Sequence, residues 1–348
     1  MKKRCIAILD CEVGEIIAQK VVSKYGTTIV VENTTINSYI KNKLIAFKAD
    51  YIWIYGIGKG ESIKFKDDHL KQLKQSYQKN VLEIKELLNN LAKGTNVSIE
   101  KINQISNSIY EPINNEYHVV QCLNELKSVD KNTFTHSINV SLYAMLLGKW
   151  LLLPESKIID LIQAALLHDV GKTKISNSIL NKKGKLEFEE FEEMKNHPIY
   201  SFEIIKNIDG LSMESKEAIL MHHERENKSG YPRGVSGSEM NICSKIIAFT
   251  NYYDSITSEK TYRKKINPFE SFQLIQSQVI TNFDMHIVNT FLSNIAACYI
   301  GSKVLLSNGQ TGEIVYVPPR AITRPIICIN SEYKDLSKES DLNIVSML

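Results

Sequence analysis

No stretch of this chain holds the 18 or more consecutive apolar residues that a membrane-spanning helix needs. The richest run, Val140 to Leu153, is interrupted by Lys149. The opening Met1-Lys2-Lys3-Arg4 leads into an apolar run that meets Asp10 too soon for a secretory leader. Cysteine is sparse: 6 residues (Cys5, Cys11, Cys122, Cys243, Cys298, Cys328) form no CxxC pair. That argues against a zinc knot or a disulfide framework and makes a reducing cytoplasm the expected location. Charge of one sign is also missing, since 42 Lys+Arg against 39 Asp+Glu leave +3. The balance speaks against a nucleic-acid polymer or a membrane as partner, but a local cluster can still hold a small anion. Repeats and low-complexity tracts are absent.

What is present fits a soluble protein of more than one unit. The 348 residues exceed the usual single domain, and 43% hydrophobic with 23% charged is ordinary globular composition. Cys5–Leu9, Thr28–Val31 and Tyr51–Tyr55 read as strands, and Asn37–Phe47 has helical spacing. Gly56, Gly58 and Gly60 read as a turn rather than a nucleotide fingerprint. Over residues 66–92, Leu70, Leu73, Tyr77, Val81, Ile84, Leu88 and Leu91 recur at helical spacing. Such a stripe suits either a homodimer seam or a helix packed on its own domain. Ile99, Ile102, Ile105 and Ile109, with Ser98 and Glu100 at the start, mark another helix. Helical patterns continue from about 117 to 299, broken by loops at 171–187 and 224–241. The tail changes to strands: Val304–Leu306, a turn at Asn308-Gly309, Ile314–Val317, and Ile326–Ile329.

Five of the 8 histidines fall between 136 and 223. His136 shares a helical face with Val140, Tyr143 and Leu147. His168 and Asp169 close a helix carrying Leu161, Ile162, Ala165 and Leu166, with Gly171 in the turn beyond. His197 ends the run Phe188, Phe191, Met194, and Pro198 can open the next helix. His222 and His223 end a helix with Ala218 and Ile219. A lone buried histidine is ordinarily a satisfied core residue. Five of them with an aspartate, all at helix ends or on core-facing stripes, point to divalent metal. Six side chains are many for one ion, so two ions sharing Asp169 are the economical reading.

These residues also carry a resemblance. His168-Asp169-Val170-Gly171-Lys172 resembles the HD motif of the HD phosphohydrolase superfamily. His222-His223-Glu224-Arg225 followed by Ser229-Gly230-Tyr231-Pro232 resembles the HHE and GYP motifs of the HD-GYP family. The resemblance covers about 117–299. It implies a multidomain, mainly α protein: an all-helical HD-GYP domain at 117–299, a small N-terminal α/β module at 1–62, a helical linker at 63–116 and a short C-terminal β tail at 300–348. It implies metal-dependent hydrolysis of cyclic di-GMP to the linear dinucleotide and on to GMP, with two divalent metal ions, iron or manganese. His136, His168 and Asp169 would hold one ion; Asp169, His197, His222 and His223 the other. Lys172 would meet a phosphate oxygen, with Asp169 and Lys172 as the catalytic pair. Tyr231, Asp254, Lys260 and Arg263 would face the substrate, and Glu224 would back a ligand histidine.

The chain departs from the family pattern at three places. Asn251 stands where an aspartate usually completes the first ion's ligands, and an amide offers its carbonyl oxygen without charge. That departure opens an alternative: a cyclic di-GMP-sensing protein with little or no turnover. Asn227-Lys228-Ser229 replaces the common Asp-Gly-Ser. Asn132 occupies a position where a glutamate supports a third ion in some members, so two ions are expected.

Overall fold

The computed structural model describes residues 3–22, 28–32, 34–47, 49–55, 59–95, 97–111, 116–126, 133–258 and 266–348. Gly56, Gly58, Asn132, Lys260 and Arg263 lie outside these ranges.

The first unit pairs β1 (Lys3–Ala7) antiparallel with β4 (Tyr51–Tyr55), from Lys3 opposite Tyr55 to Ala7 opposite Tyr51. Two-residue alternation turns Ile52 and Ile54 inward. They meet Ile17, Ile36, and Ile40 and Leu44 of α1 (Ser38–Ala46) in a small separate core. Asn37 caps α1 by accepting the amide of Ile40 at 2.8 Å. Strands β2 (Val21–Val22) and β3 (Thr28–Val30) complete the unit.

The body is helical. In chain order it runs α2 (Lys59–Ala92), α3 (Ile99–Tyr110), α4 (Glu116–Leu126), α5 (Thr133–Trp150), α6 (Glu155–Leu167), α7 (Asn177–Leu180), α8 (Phe188–Met194), α9 (His197–Ile205), α10 (Met213–Met221), α11 (Ile242–Thr257), α12 (Pro268–Leu274) and α13 (Met285–Ala297). Helix α5 is buried all round from Ile138 to Leu147, which makes it the central post. None of the described helices is long and apolar enough to cross a membrane.

The stripe on α2 is spent inside the chain. Tyr77, Ile84, Leu88 and Leu91 are 7%, 0%, 3% and 6% exposed within the main core, and Leu70, Leu73 and Val81 pack against it. Tyr77, Ile84, Leu88 and Leu91 are therefore taken up by packing within the chain. The segment expected as a linker packs as part of the body, because each buried aliphatic gains about 1.5–3 kcal/mol by leaving water.

The tail is larger than expected. β5 (Lys303–Leu306), β6 (Thr311–Tyr316), β7 (Ile326–Ile329), β8 (Glu332–Asp335) and β9 (Ile344–Met347) form one antiparallel sheet in the order β8-β7-β6-β5-β9. Val304, Leu306, Ile314 and Ile327 of the sheet join the main core. The sheet also meets the first unit: the Tyr39 ring lies 5.6 Å from Tyr316 and 5.3 Å from Tyr333, so the two ends of the chain pack together.

Candidate metal centre

Three helix ends and two helix flanks converge on Asp169. The carboxylate follows α6 and is 2% exposed. His168 is the C-cap of α6, His222 the C-cap of α10, and His197 opens α9 one turn after α8 ends. His136 projects from the first turns of α5, and Asn251 and Asp254 from α11.

The imidazoles are held by one repeated device. His168 Nδ1 lies 2.7 Å from Ala165 O, His197 Nδ1 2.7 Å from Met194 O, and His222 Nδ1 2.6 Å from Ile219 O. In each case the acceptor is the carbonyl three residues back, in a final helical turn whose carbonyls have no helical partner. A carbonyl can only accept, so each Nδ1 carries the proton and each Nε2 presents a lone pair inward. His136 reaches the same state differently: its Nδ1 lies 2.7 Å from Asp254 Oδ2.

The inward atoms divide between the two carboxylate oxygens. His136 Nε2 and His168 Nε2 lie 3.7 and 3.4 Å from Asp169 Oδ2, whereas His197 Nε2 and His222 Nε2 lie 3.3 and 3.8 Å from Oδ1. Two trios have ligand atoms within 4.8 Å of one another: His136, His168, Asp169, and His197, His222, His223. Asn251 Oδ1 stands 3.0 Å from His136 Nε2, on the Oδ2 side. Lys172 Nζ meets Asp169 Oδ2 at 2.6 Å while its side chain stays 29% exposed.

This donor set fits cations. His168 Nε2 and Asp169 Oδ1 are buried without a hydrogen-bond partner, an arrangement that costs stability unless something positive meets them. His197 Nε2 and His222 Nε2 are only 3.0 Å apart, two lone pairs facing each other. Burial, then the closeness of His168 and His197, pushes His222 well below the ordinary histidine value; burial and His222 do the same to His223. Burial also lowers His197, against the pull of Asp169. For Asp169, burial alone raises the carboxyl. The nearby His168 and the Lys172 ammonium overcome it and hold the group well below its usual range. Neutral imidazoles around an ionised carboxylate are the form in which both bind metal.

Two glycines permit the close packing. A Cβ on Gly171 would sit 2.1 Å from His197 O and 2.3 Å from Ser201 N. Its glycine is thus required by the approach of α9, not by the turn geometry expected from the sequence. Ser201 Oγ bridges this contact, donating to His168 O at 2.7 Å and accepting from Gly171 N at 2.8 Å. A Cβ on Gly230 would sit 2.4 Å from Glu224 Cα.

The loop after α10 carries Tyr231, whose ring stacks on His223 at 4.5 Å and 21°. Glu224 does not back a histidine. Its buried carboxylate accepts the amides of Arg233 (2.7 Å), Gly234 (3.1 Å) and Val235 (3.2 Å), shaping the loop from within. Lys228 takes the left-handed conformation, φ 65°, which glycine adopts at less cost. Asn227 Oδ1 supports it by accepting from Ser229 N at 3.1 Å.

Some sequence expectations move. Asp254, expected to face substrate, is 1% exposed and stands behind His136. The apolar run Phe188, Phe191, Met194 of α8 turns two of its rings outward, with Phe188 and Phe191 73% and 46% exposed. Lys260 and Arg263 are not among the described residues. No periodicity in the sequence marks Ser201; what singles it out is its position four residues after His197 in the same helix.

Residues 120–287 match the family model described as the HD domain. A cyclic di-GMP phosphodiesterase of Pseudomonas aeruginosa is 30% identical over 200 residues, covering 58% of this chain and 48% of that protein. A cyclic di-GMP phosphodiesterase of Thermotoga maritima is 32% identical over 178 residues, 51% of this chain and 48% of that one. A 3'3'-cGAMP-specific phosphodiesterase of Vibrio cholerae is 30% identical over 197 residues, 55% and 42%. The chain thus spans about half the length of the curated relatives it matches. Among solved structures, an HDG"Y"P protein from Bdellovibrio bacteriovorus aligns with a TM-score of 0.53 at 14% identity, over 83% of this chain and 98% of that one, which is a likeness of fold.

Proposed function

We propose that residues 120–287, which match the HD domain, form a domain of the HD-GYP type, and that the protein hydrolyses cyclic di-GMP at a two-metal centre. The observation that supports it most is the division of Asp169: one carboxylate oxygen faces His136 and His168, the other His197 and His222. In this reading His136, His168, Asp169 and Asn251 hold one ion, and Asp169, His197, His222 and His223 hold the other. Mixed imidazole and oxygen donors suit iron or manganese. Bound there, two divalent ions supply Lewis acidity toward the phosphoryl oxygens and an activated water.

The chain's own groups do the rest. Asp169 sets the spacing of the two halves. Lys172, partly exposed beside that carboxylate, offers its ammonium to a phosphoryl oxygen. Tyr231 presents an aromatic edge at the rim of the His223 half. Lys260 and Arg263 are assigned to the second phosphate and a guanine. Opening one phosphodiester yields the linear dinucleotide, and a second hydrolysis yields GMP. The relatives include enzymes for cyclic di-GMP and for 3'3'-cGAMP, so the choice between the two belongs to this proposal.

A second reading is carried by Asn251. The Oδ2 half has a neutral amide where a carboxylate is usual, which suits a cyclic di-GMP sensor with slow or no turnover. One experiment separates the readings: protein purified without oxygen is assayed for metal content and for products from cyclic di-GMP and 3'3'-cGAMP. The enzyme reading predicts nearly two metal equivalents and linear dinucleotide from cyclic di-GMP. Tight binding of intact cyclic di-GMP without product would move the conclusion to the sensor.

A further inference from the structure

The loop that carries Tyr231 is shaped from within by Glu224, and its outer side is fastened by a different set of residues. Lys245 lies on α11, the helix that also bears Asn251 and Asp254. Its Nζ is 2.9 Å from Glu226 Oε1 and 3.1 Å from Asp284 Oδ2. The three side chains are 18%, 26% and 29% exposed, so solvent screens them only in part.

The two carboxylates differ in what else holds them. Asp284 is fixed, because its Oδ1 caps α13 by accepting the amides of His286 at 2.9 Å and Ile287 at 3.3 Å. Glu226 belongs to the loop, two residues beyond Glu224. Its amide donates to Asn282 O at 3.0 Å, and the next residue, Asn227, donates from Nδ2 to Asn282 Oδ1 at 3.0 Å. Gly237 makes room for the Glu226 carboxylate: a Cβ there would fall 1.5 Å from Oε2. With one ammonium between them, Glu226 and Asp284 are drawn together. Without it, two half-buried carboxylates repel each other across the same gap, and the repulsion favours movement of Glu226 and its loop away from α13.

We propose that Lys245 is a positioning residue for the dinucleotide site: it clamps Glu226 to Asp284 and so keeps the loop where the Tyr231 ring lies on His223. The clamp itself is independent of which reaction the site performs. Its kinetic consequence rests on the phosphodiesterase reading.

The test uses the full chain with Lys245→Met and Lys245→Arg. Hydrogen exchange at the amides of Glu226 and Tyr231, which bond to Asn282 O and His223 O, is compared with the amides of Ile247 and Phe249 in α11. Lys245→Met should speed the two loop amides by about tenfold while the helix amides hold, and Lys245→Arg should stay near wild type. On cyclic di-GMP, Lys245→Met should raise KM by about tenfold with kcat within roughly threefold and metal content unchanged. Loop exchange that does not accelerate, or faster exchange with an unchanged KM, overturns the proposal. If Lys245→Met fails to fold, Glu226→Gln removes one of the two charges and should shift both readouts the same way by a smaller factor; no shift overturns the clamp. A wild-type protein without turnover removes the phosphodiesterase reading, while the exchange comparison still decides the clamp.

Discussion

The two halves of the site are built from different materials. On the Oδ1 side, His197 and His222 are 1% and 0% exposed and are oriented by backbone carbonyls at helix ends. On the Oδ2 side, His168 is 0% exposed and held by a backbone carbonyl in the same way, but His136 has a side chain 19% exposed and is oriented by the Asp254 carboxylate, and Asn251 is a neutral neighbour. A half oriented by backbone depends on the fold alone. A ligand oriented by a side chain, as His136 is by Asp254, depends on which residues α5 and α11 carry. Asp254 behind His136 would set a carboxylate one residue removed from an ion on this side, where Asn251 offers no charge.

The largest expected break is Asp169→Ala, which removes the one group common to both halves. Turnover of cyclic di-GMP should fall at least ~10³-fold, and both metal equivalents should weaken, while circular dichroism keeps its helical signal. Wild-type turnover in this variant would detach the chemistry from the carboxylate.

A selective break comes next. Asp254→Asn keeps the hydrogen bond to His136 but removes the charge, so one metal equivalent should bind roughly 10–100-fold more weakly and the other should be unchanged. Asn251→Asp should move the same equivalent the opposite way by a similar factor. Metal titration of both variants checks the pair, and an equal change in both equivalents would erase the distinction between the halves.

The smallest effect concerns the loop above the Oδ1 half. Lys228 holds φ 65°, a conformation that glycine takes at less cost, so Lys228→Gly should stabilise the protein by about 0.5–1 kcal/mol in denaturant unfolding. A loss of stability would show that the Lys228 side chain is anchored.

Much of this is legible in the amino-acid sequence. The 3.6-residue spacing located α2, α3 and the helices that end in His168 and His222, and the clustering of five histidines with Asp169 marked the centre. What stayed hidden has physical reasons. β8, with the sequence Glu-Tyr-Lys-Asp, is an edge strand without an apolar face, so no period-two signal marks it. Phe188 and Phe191 have helical spacing, but spacing cannot say which face meets the core. The role of Glu224 depends on three backbone amides, and backbone amides have no sequence signature. The fastening of Nδ1 to carbonyls three residues back is likewise a property of helix ends, not of residue type.

The claim that Asp169 separates two unlike half-sites is tested most directly by titrating metal-free protein with manganese under anaerobic conditions. Two equivalents of unequal affinity are predicted, the weaker one tightened by Asn251→Asp and the tighter one indifferent to it. A single equivalent, or two that respond to Asn251→Asp alike, would contradict the account.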